Sequence, residues 1–220
     1  MSDDNDGASR DSPPLPAGVT YREFDGESRL ATRGAPVYGE PSSGEWRLWD
    51  ARRSKVGAMY EQGLDLRLAG DEKVLYLGAA SGTTASHVAD FSNAVYAVEF
   101  AARPTRDLVG VAEERPNLFP LLKDARQPET YGHVVEPVDA IVQDVATRGQ
   151  ARVARANRRF LRDDGVLVLA IKARSEDVTR DPDEVFEGVL ADLRESYEVL
   201  DTRSLEPFHA DHLAVVARPR

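Results

Sequence analysis

Residues 74–100, VLYLGAASGTTASHVADFSNAVYAVEF, spell out a strand, a turn of small residues, a helix and a second strand ending in an acid. Val74-Leu75-Tyr76-Leu77 is a short apolar run of the kind buried in parallel sheets. Nothing in Gly78-Ala79-Ala80-Ser81-Gly82 is bulkier than a hydroxymethyl group, so backbone there comes close to a ligand. Ser81 or Thr83 is placed to cap the helix that runs to Ala89, which leaves free N–H groups facing the turn. The second strand delivers Glu99 21 positions after Gly78, where an acid in such a unit accepts the hydroxyls of a bound ribose.

The turn also says what kind of nucleotide to expect. A dinucleotide fingerprint, G-x-G-x-x-G, would need glycine where this chain has Ala80 and Thr83, and there is no Walker lysine. Ala, Ser and Thr suit a ligand without phosphate. S-adenosylmethionine has the ribose and adenine but carries an amino-acid tail instead.

From Lys73 onward apolar strands alternate with amphipathic helices, with strands expected over 74–77, 95–98, 118–122, 140–143, 166–171, 197–204 and 212–217. That alternation predicts an α/β, mostly parallel, doubly wound sheet, and two final strands without an intervening helix predict an antiparallel hairpin. Ahead of it, residues 17–50 alternate in short pieces between Gly and Pro, around Thr20–Phe24, Arg29–Thr32 and Tyr38–Glu40. They read as a small N-terminal β domain before a main domain over 51–220. Residues 46–62 look helical, and residues 1–16 are polar, Pro-rich and expected to be disordered. The chain has no cysteine and a net charge of −10, with four lysines against 24 arginines. Thiolate chemistry and zinc–thiolate sites are excluded. The acidic surface matches proteins of salt-rich cytoplasm. With no apolar run near the length of a membrane span and an acidic N-terminus, we expect a cytoplasmic protein with no membrane association.

Four strand ends carry polar residues that packing does not require: Glu99, Asp124-Ala125, Asp144 to Thr147 and Lys172-Ala173. Ligands of open α/β sheets bind outside the carboxyl ends of the strands, so these residues are expected to converge on one crevice.

With those residues in view, LYLGAASGTTASHV, VYAVEF, KDAR, DVA, IKA and LEPFHADHLAVV resemble fibrillarin, the guide-RNA-directed ribose 2'-O-methyltransferase family, in its archaeal form. The likeness runs from about Leu15 to the C-terminus. It implies a Rossmann-like methyltransferase fold behind a small β domain and S-adenosylmethionine as cofactor; a sulfonium supplies its own leaving group, so no metal is expected. By motif, it places Thr83 and Thr84 at the methionine part and Glu99 and Phe100 at the ribose and adenine. Asp124 and Ala125 fall at the adenine edge, and Asp144, Val145, Ala146 and Thr147 near the sulfonium. The family usually has Gln where this chain has Thr147. It further implies a box C/D guide RNA that selects target rRNA or tRNA, a Nop-domain scaffold protein and a kink-turn-binding ribosomal-type protein.

A ribose 2'-hydroxyl is a weak nucleophile that must be aligned with the methyl and relieved of its proton. Lys172 is the expected group nearest that hydroxyl, as a base or as a charge that stabilises the alkoxide, and Asp144 orients it. Lys55 and His212 match the family's remaining pocket residues, giving a Lys-Asp-Lys-His group in which Glu206 competes with His212. His87 reads as structural, and His133 and His209 have no partner visible in the sequence. Arg148, Arg152, Arg155, Arg158 and Arg159 recur at helical spacing and read either as an RNA-facing stripe or as a solvated face. Two other readings compete: a methyltransferase of the same fold acting on a protein or small molecule, and a catalytically silent structural subunit.

Overall fold

The computed structural model describes residues 14–220, so the expected disordered tail lies, up to residue 13, outside the described residues. The chain opens with β1 (Val19–Phe24), β2 (Glu27–Arg33), β3 (Ser42–Ser43) and β4 (Trp46–Leu48), an antiparallel sheet in the order β1-β2-β4-β3. Then come α1 (Lys55–Glu61), β5 (Lys73–Leu77), α2 (Thr83–Ala89), β6 (Ala94–Glu99), α3 (Ala102–Glu113) and β7 (Leu118–Leu122). They are followed by β8 (Val138–Gln143), α4 (Gln150–Asn157), β9 (Leu161–Lys172), α5 (Ala173–Glu176), α6 (Pro182–Leu193), β10 (Tyr197–Ser204) and β11 (His212–Pro219). The second sheet has seven strands in the order β10-β11-β9-β8-β5-β6-β7; β10 and β11 are antiparallel, as is β11 against β9, and the rest pair in parallel.

Alternate residues of the central strands feed two separate cores, as the period of two requires. In β5, Val74 and Tyr76 pack toward α2, α3 and the N-terminal sheet, whereas Leu75 and Leu77 pack toward α4 and α6. After β5 the chain winds outward through β6 to β7, then jumps back to place β8 on the other side of β5. That reversal is the switch point at which an open α/β sheet leaves a crevice at its carboxyl edge.

Two expectations about the N-terminal part are corrected. Residues 46–62 do not form one helix, because Trp46–Leu48 is β4, held in register against β2 by Ala31↔Leu48 and Arg33↔Trp46. Cross-strand partners outweigh helical propensity there, and the helix waits for Ser54, whose hydroxyl accepts from the Gly57 amide (3.1 Å) and from the Trp49 indole (2.8 Å). The strand expected around Tyr38–Glu40 is a turn, because the Glu40 carboxylate accepts from the amides of Val37 and Tyr38 at 2.7 and 2.9 Å and curls that segment on itself.

The small sheet is tied to α2 through buried polar contacts. Thr32 donates its single hydroxyl proton to Asp90 Oδ2 (2.6 Å), so the 2.7 Å contact between Thr32 Oγ1 and His87 Nδ1 has the ring donating. His87 also stacks on Trp49 at 5.0 Å and is structural. Burial, with Arg47 and Arg115 adding repulsion, pushes its pKa well below the usual imidazole range. A depressed histidine pKa means the unfolded chain takes up a proton first, so the associated stability is present above about pH 6.5 and is lost as pH falls below it. Replacing His87 with Asn, which keeps a donor but does not titrate, is expected to flatten the fall in denaturation midpoint between about pH 7.5 and 5.5. An unchanged slope would assign that acid sensitivity to other groups.

Candidate active site

The turn after β5 owes its shape to backbone that side chains rarely tolerate. Gly78 has φ +85, and a Cβ there would lie 2.3 Å from the carbonyl oxygen of Asp144, the residue that leaves β8. The two strand ends therefore approach at a distance only glycine permits, and the Asp144 amide donates to Leu77 O at 2.9 Å across the same gap. Ala80 and Gly82 also have positive φ (47° and 89°). Neither Ser81 nor Thr83 caps the helix as expected: Gly82 occupies the cap position with no side-chain bond. The loop is anchored instead by Glu99, a 7 % exposed carboxylate that accepts from Ala80 N (3.0 Å) and Ala101 N (2.8 Å).

Around this approach lies a cavity of about 460 Å³ lined by Gly78, Ala80, Val98, Glu99, Phe100, Lys123, Asp124, Ala125, Arg126, Asp144, Val145, Ala146, Thr147 and Val153. The strand-end residues singled out in β6, β7 and β8 thus meet in one place. Phe100 is 72 % exposed, an apolar ring left bare at the rim. Asp124 is engaged by Arg126 through the guanidinium (2.6–3.0 Å) and the amide (2.9 Å), and these bonds hold its carboxyl below the usual carboxylate range. Thr83 and Thr84 do not line the cavity; they open α2 just beyond it, with Thr84 beside the buried Tyr76 hydroxyl.

The four expected catalytic residues come from four separate elements. Lys55, the first residue of α1, pairs with Asp144 at 2.8 Å, and both side chains are only 23 % exposed. Lys172 ends β9 directly opposite His212, which begins β11, so their side chains leave the same face of the sheet with Cβ atoms about 4.5–5.5 Å apart. His212 Nδ1 donates to Ala210 O (2.6 Å), which leaves Nε2 as a bare lone pair, buried and without a partner. Burial depresses the His212 pKa and Lys55 adds to the fall against the opposing effects of Ala210 and Asp144, so the ring is neutral at pH 7. Glu206, the competing acid, is exposed.

His209, for which the sequence offered no partner, lies 5.8 Å from His212 between ring centres and bonds through Nε2 to Ala51 O at 2.8 Å. It ties the loop before β11 to the segment that launches Lys55, a link between residues 158 positions apart that no local pattern announces. The arginine stripe is partly committed inside the molecule: Arg155 pairs with Glu195, and Arg158 with Asp163.

The Fibrillarin family model matches residues 17–220. The chain is 68 % identical over 209 residues to the fibrillarin-like rRNA/tRNA 2'-O-methyltransferase of Halorubrum lacusprofundi, covering 94 % of this chain and 99 % of that protein. It superposes with a TM-score of 0.87 on a chain of a fibrillarin/Nop5p complex, 40 % identical, with 94 % and 99 % of the two chains covered. Against Aeropyrum pernix fibrillarin with natively bound S-adenosyl-L-methionine the TM-score is 0.83 and the identity 43 %, covering 94 % of this chain and 96 % of that one. With its model spanning both sheets and relatives of this similarity along nearly the whole chain, the protein belongs to the fibrillarin family.

Proposed function

We propose that this chain transfers the methyl group of S-adenosylmethionine to ribose 2'-hydroxyls of rRNA and tRNA, as the catalytic subunit of a box C/D RNA–protein particle. The partners in this reading are a guide RNA, a Nop-domain scaffold and a kink-turn-binding ribosomal-type protein, and the location is cytoplasmic. No helix among the described residues is long and apolar enough to cross a membrane. The observation that carries the reading is the Lys55–Asp144 ion pair at the edge of the cavity, with Lys172 and neutral His212 facing each other on the adjoining strands.

The cavity fits the cofactor by its chemistry. A Cβ at Gly78 would fill the space where the turn approaches Asp144, Glu99 keeps lone pairs for sugar hydroxyls beyond its two amide bonds, and the bare Phe100 ring suits a purine face. In this reading Glu99 and Phe100 hold the ribose and adenine, and Asp124 and Ala125 the adenine edge. Asp144, Val145, Ala146 and Thr147 hold the region of the sulfonium, and the methionine part extends past the cavity toward Thr83 and Thr84 at the start of α2. When bound, the cofactor supplies a methyl group on a good leaving group. The residues of this chain do the rest. Asp144 complements nearby positive charge while paired to Lys55, and Lys172 meets the 2'-hydroxyl to accept its proton or to stabilise the alkoxide. His212, with Nε2 unprotonated, offers a neighbouring lone pair to that ammonium.

Removing the Glu99 carboxylate as Glu99→Ala is expected to weaken cofactor binding by roughly 1–3 kcal/mol, the scale of lost hydrogen bonds to a charged group. Calorimetry with the free chain measures it, and an unchanged affinity would place the ribose elsewhere.

RNA binding must overcome the net charge of −10. The isolated chain is therefore expected to bind S-adenosylmethionine yet methylate RNA poorly. Reconstitution with guide RNA and both partner proteins, followed by mapping of ribose methylation, tests the function as a whole. Efficient, site-selective methylation by the chain alone in high salt, or transfer only to protein acceptors, would overturn the reading.

A further inference from the structure

Strand β9 outruns its parallel neighbour. Its pairing with β8 ends at Gln143↔Leu169, where the chain turns away toward Asp144, yet β9 continues three residues further to Lys172. On the opposite edge, the Ala173 amide reaches Asp211 O in the segment leading into β11, at 3.1 Å. Amide groups alternate in direction along a strand, so the N–H and C=O of Lys172 point the other way, into the space that β8 has vacated. One side chain fills that space. The Lys172 amide donates to Gln150 Oε1 at 2.9 Å, and Gln150 Nε2 donates to the Lys172 carbonyl at 3.1 Å. Gln150 is 0 % exposed.

Taking Lys172 as the residue that meets the 2'-hydroxyl, we propose that Gln150 is a positioning residue for methyl transfer: its amide clamps the Lys172 backbone and sets where the ammonium is delivered. A two-point clamp grips the two peptide groups that flank the Lys172 Cα and so fixes both its height and its rotation about the strand axis. The side chain has no duty in holding its own helix. The start of α4 is secured by the Glu176 carboxylate, which accepts from Gly149 N (2.8 Å) and Gln150 N (2.6 Å), and by Gln143 Nε2, which donates to Gln150 O (2.9 Å). Residues 144–147 line the cavity and Gln150 follows three positions later. The wall of the cofactor cavity and the lysine are thus joined through one short segment.

Two variants separate positioning from stability. Gln150→Leu keeps the bulk and removes both bonds, whereas Gln150→Glu keeps the acceptor for the Lys172 amide and removes the donor to its carbonyl. In a reconstituted particle with saturating cofactor, the leucine variant is expected to slow single-turnover methylation roughly 10-fold or more, because a displacement on the order of 1 Å costs that much alignment. The glutamate variant should be intermediate. Cofactor affinity by calorimetry should stay within about twofold, since the contacts to the ligand remain. Amide exchange at Lys172 in the free chain should speed up. Adding Gln150→Leu to Lys172→Ala should slow the reaction no further, because the clamp acts through the lysine. A leucine variant that melts lower but turns over at the wild-type rate, or one that slows Lys172→Ala by the same factor, would overturn the proposal; if leucine does not fold, a wild-type rate for the glutamate variant does so. A wild-type rate for Lys172→Ala alone strikes instead at the reading of Lys172, so the two failures are distinct.

Discussion

Lys172→Ala is expected to lower the rate of ribose methylation in a reconstituted particle by on the order of 10²-fold or more, the loss typical when a general acid–base or electrostatic group is removed. The geometry isolates the effect. Lys172 does not line the cavity, and its backbone is held by Gln150 and by the pairing of β9 with β11, none of which depends on the ammonium. Cofactor affinity should therefore change little, and the Lys55–Asp144 pair should persist. Lys172→Arg keeps the charge but does not readily give up a proton at working pH, so a partly active arginine variant identifies charge stabilisation. An inactive one fits proton transfer, and its pH–rate profile then becomes the deciding measurement, because a lysine acting as base imposes its own ionisation on the rate whereas a permanent cation does not. Methylation by Lys172→Ala at near the wild-type rate would remove Lys172 from the mechanism.

The parts of this molecule that were legible in its sequence are those governed by local rules. Val74–Leu77 was legible because a strand covered on both faces is a continuous apolar run, and the edge strands β7 and β10 match their expected bounds of 118–122 and 197–204. Strand β9, expected over 166–171, begins five residues earlier at Leu161 and runs through the polar stretch of Arg162, Asp163 and Asp164. Glu99, Asp124 and Asp144 converge because the carboxyl ends of parallel strands share one edge of the sheet, so topology alone brings them together. What could not be read depends on partners distant in the chain. Trp46–Leu48 carries no signal separating it from a helix start until β2 is there to pair with it. His209 and Gln150 look like ordinary loop and helix residues, and their roles exist only through Ala51 and Lys172. The expected cap at Ser81 or Thr83 failed for a different reason: Gly78, Ala80 and Gly82 all take positive φ to bring the turn against Asp144, and that path spends the cap position on a glycine.

The largest loss of stability is expected from Arg47→Ala. Arg47 is 0 % exposed, and its guanidinium reaches Asp90 Oδ2 (2.8 Å), Ser86 Oγ (3.0 Å) and, at 3.6 Å, Glu40 Oε1. Asp90 is shared with Arg115 (3.1 Å) and Thr32 (2.6 Å), so one buried carboxylate ties β2, β4, α2 and the end of α3 together. Truncating the arginine leaves Glu40 without its cation and Asp90 with Arg115 alone, both side chains being almost fully buried, and breaking a buried pair from one side costs about 3–5 kcal/mol. For a chain of this length each kcal/mol lowers the melting temperature by roughly 2–4 °C, so a fall of roughly 6–20 °C follows. Arg33 supplies the internal control. It belongs to the same sheet and pairs with Glu45 at 2.7 Å, closer than any Arg47 contact, but both side chains are more than half exposed. Arg33→Ala should cost less than about 1 kcal/mol, because water and salt already screen that pair. Raising the salt concentration should shrink the Arg33 effect further and leave the Arg47 effect in place, since buried charges are screened far less. Comparable melting temperatures for the two variants would mean that burial is not what gives the Arg47 cluster its weight. The consequence reaches the active site: Glu40 braces the turn that carries Tyr38, and the Tyr38 hydroxyl donates to Ser81 O (2.5 Å) in the glycine turn. Loosening the arginine cluster should therefore weaken cofactor affinity as well as stability, whereas Arg33→Ala should leave that affinity untouched.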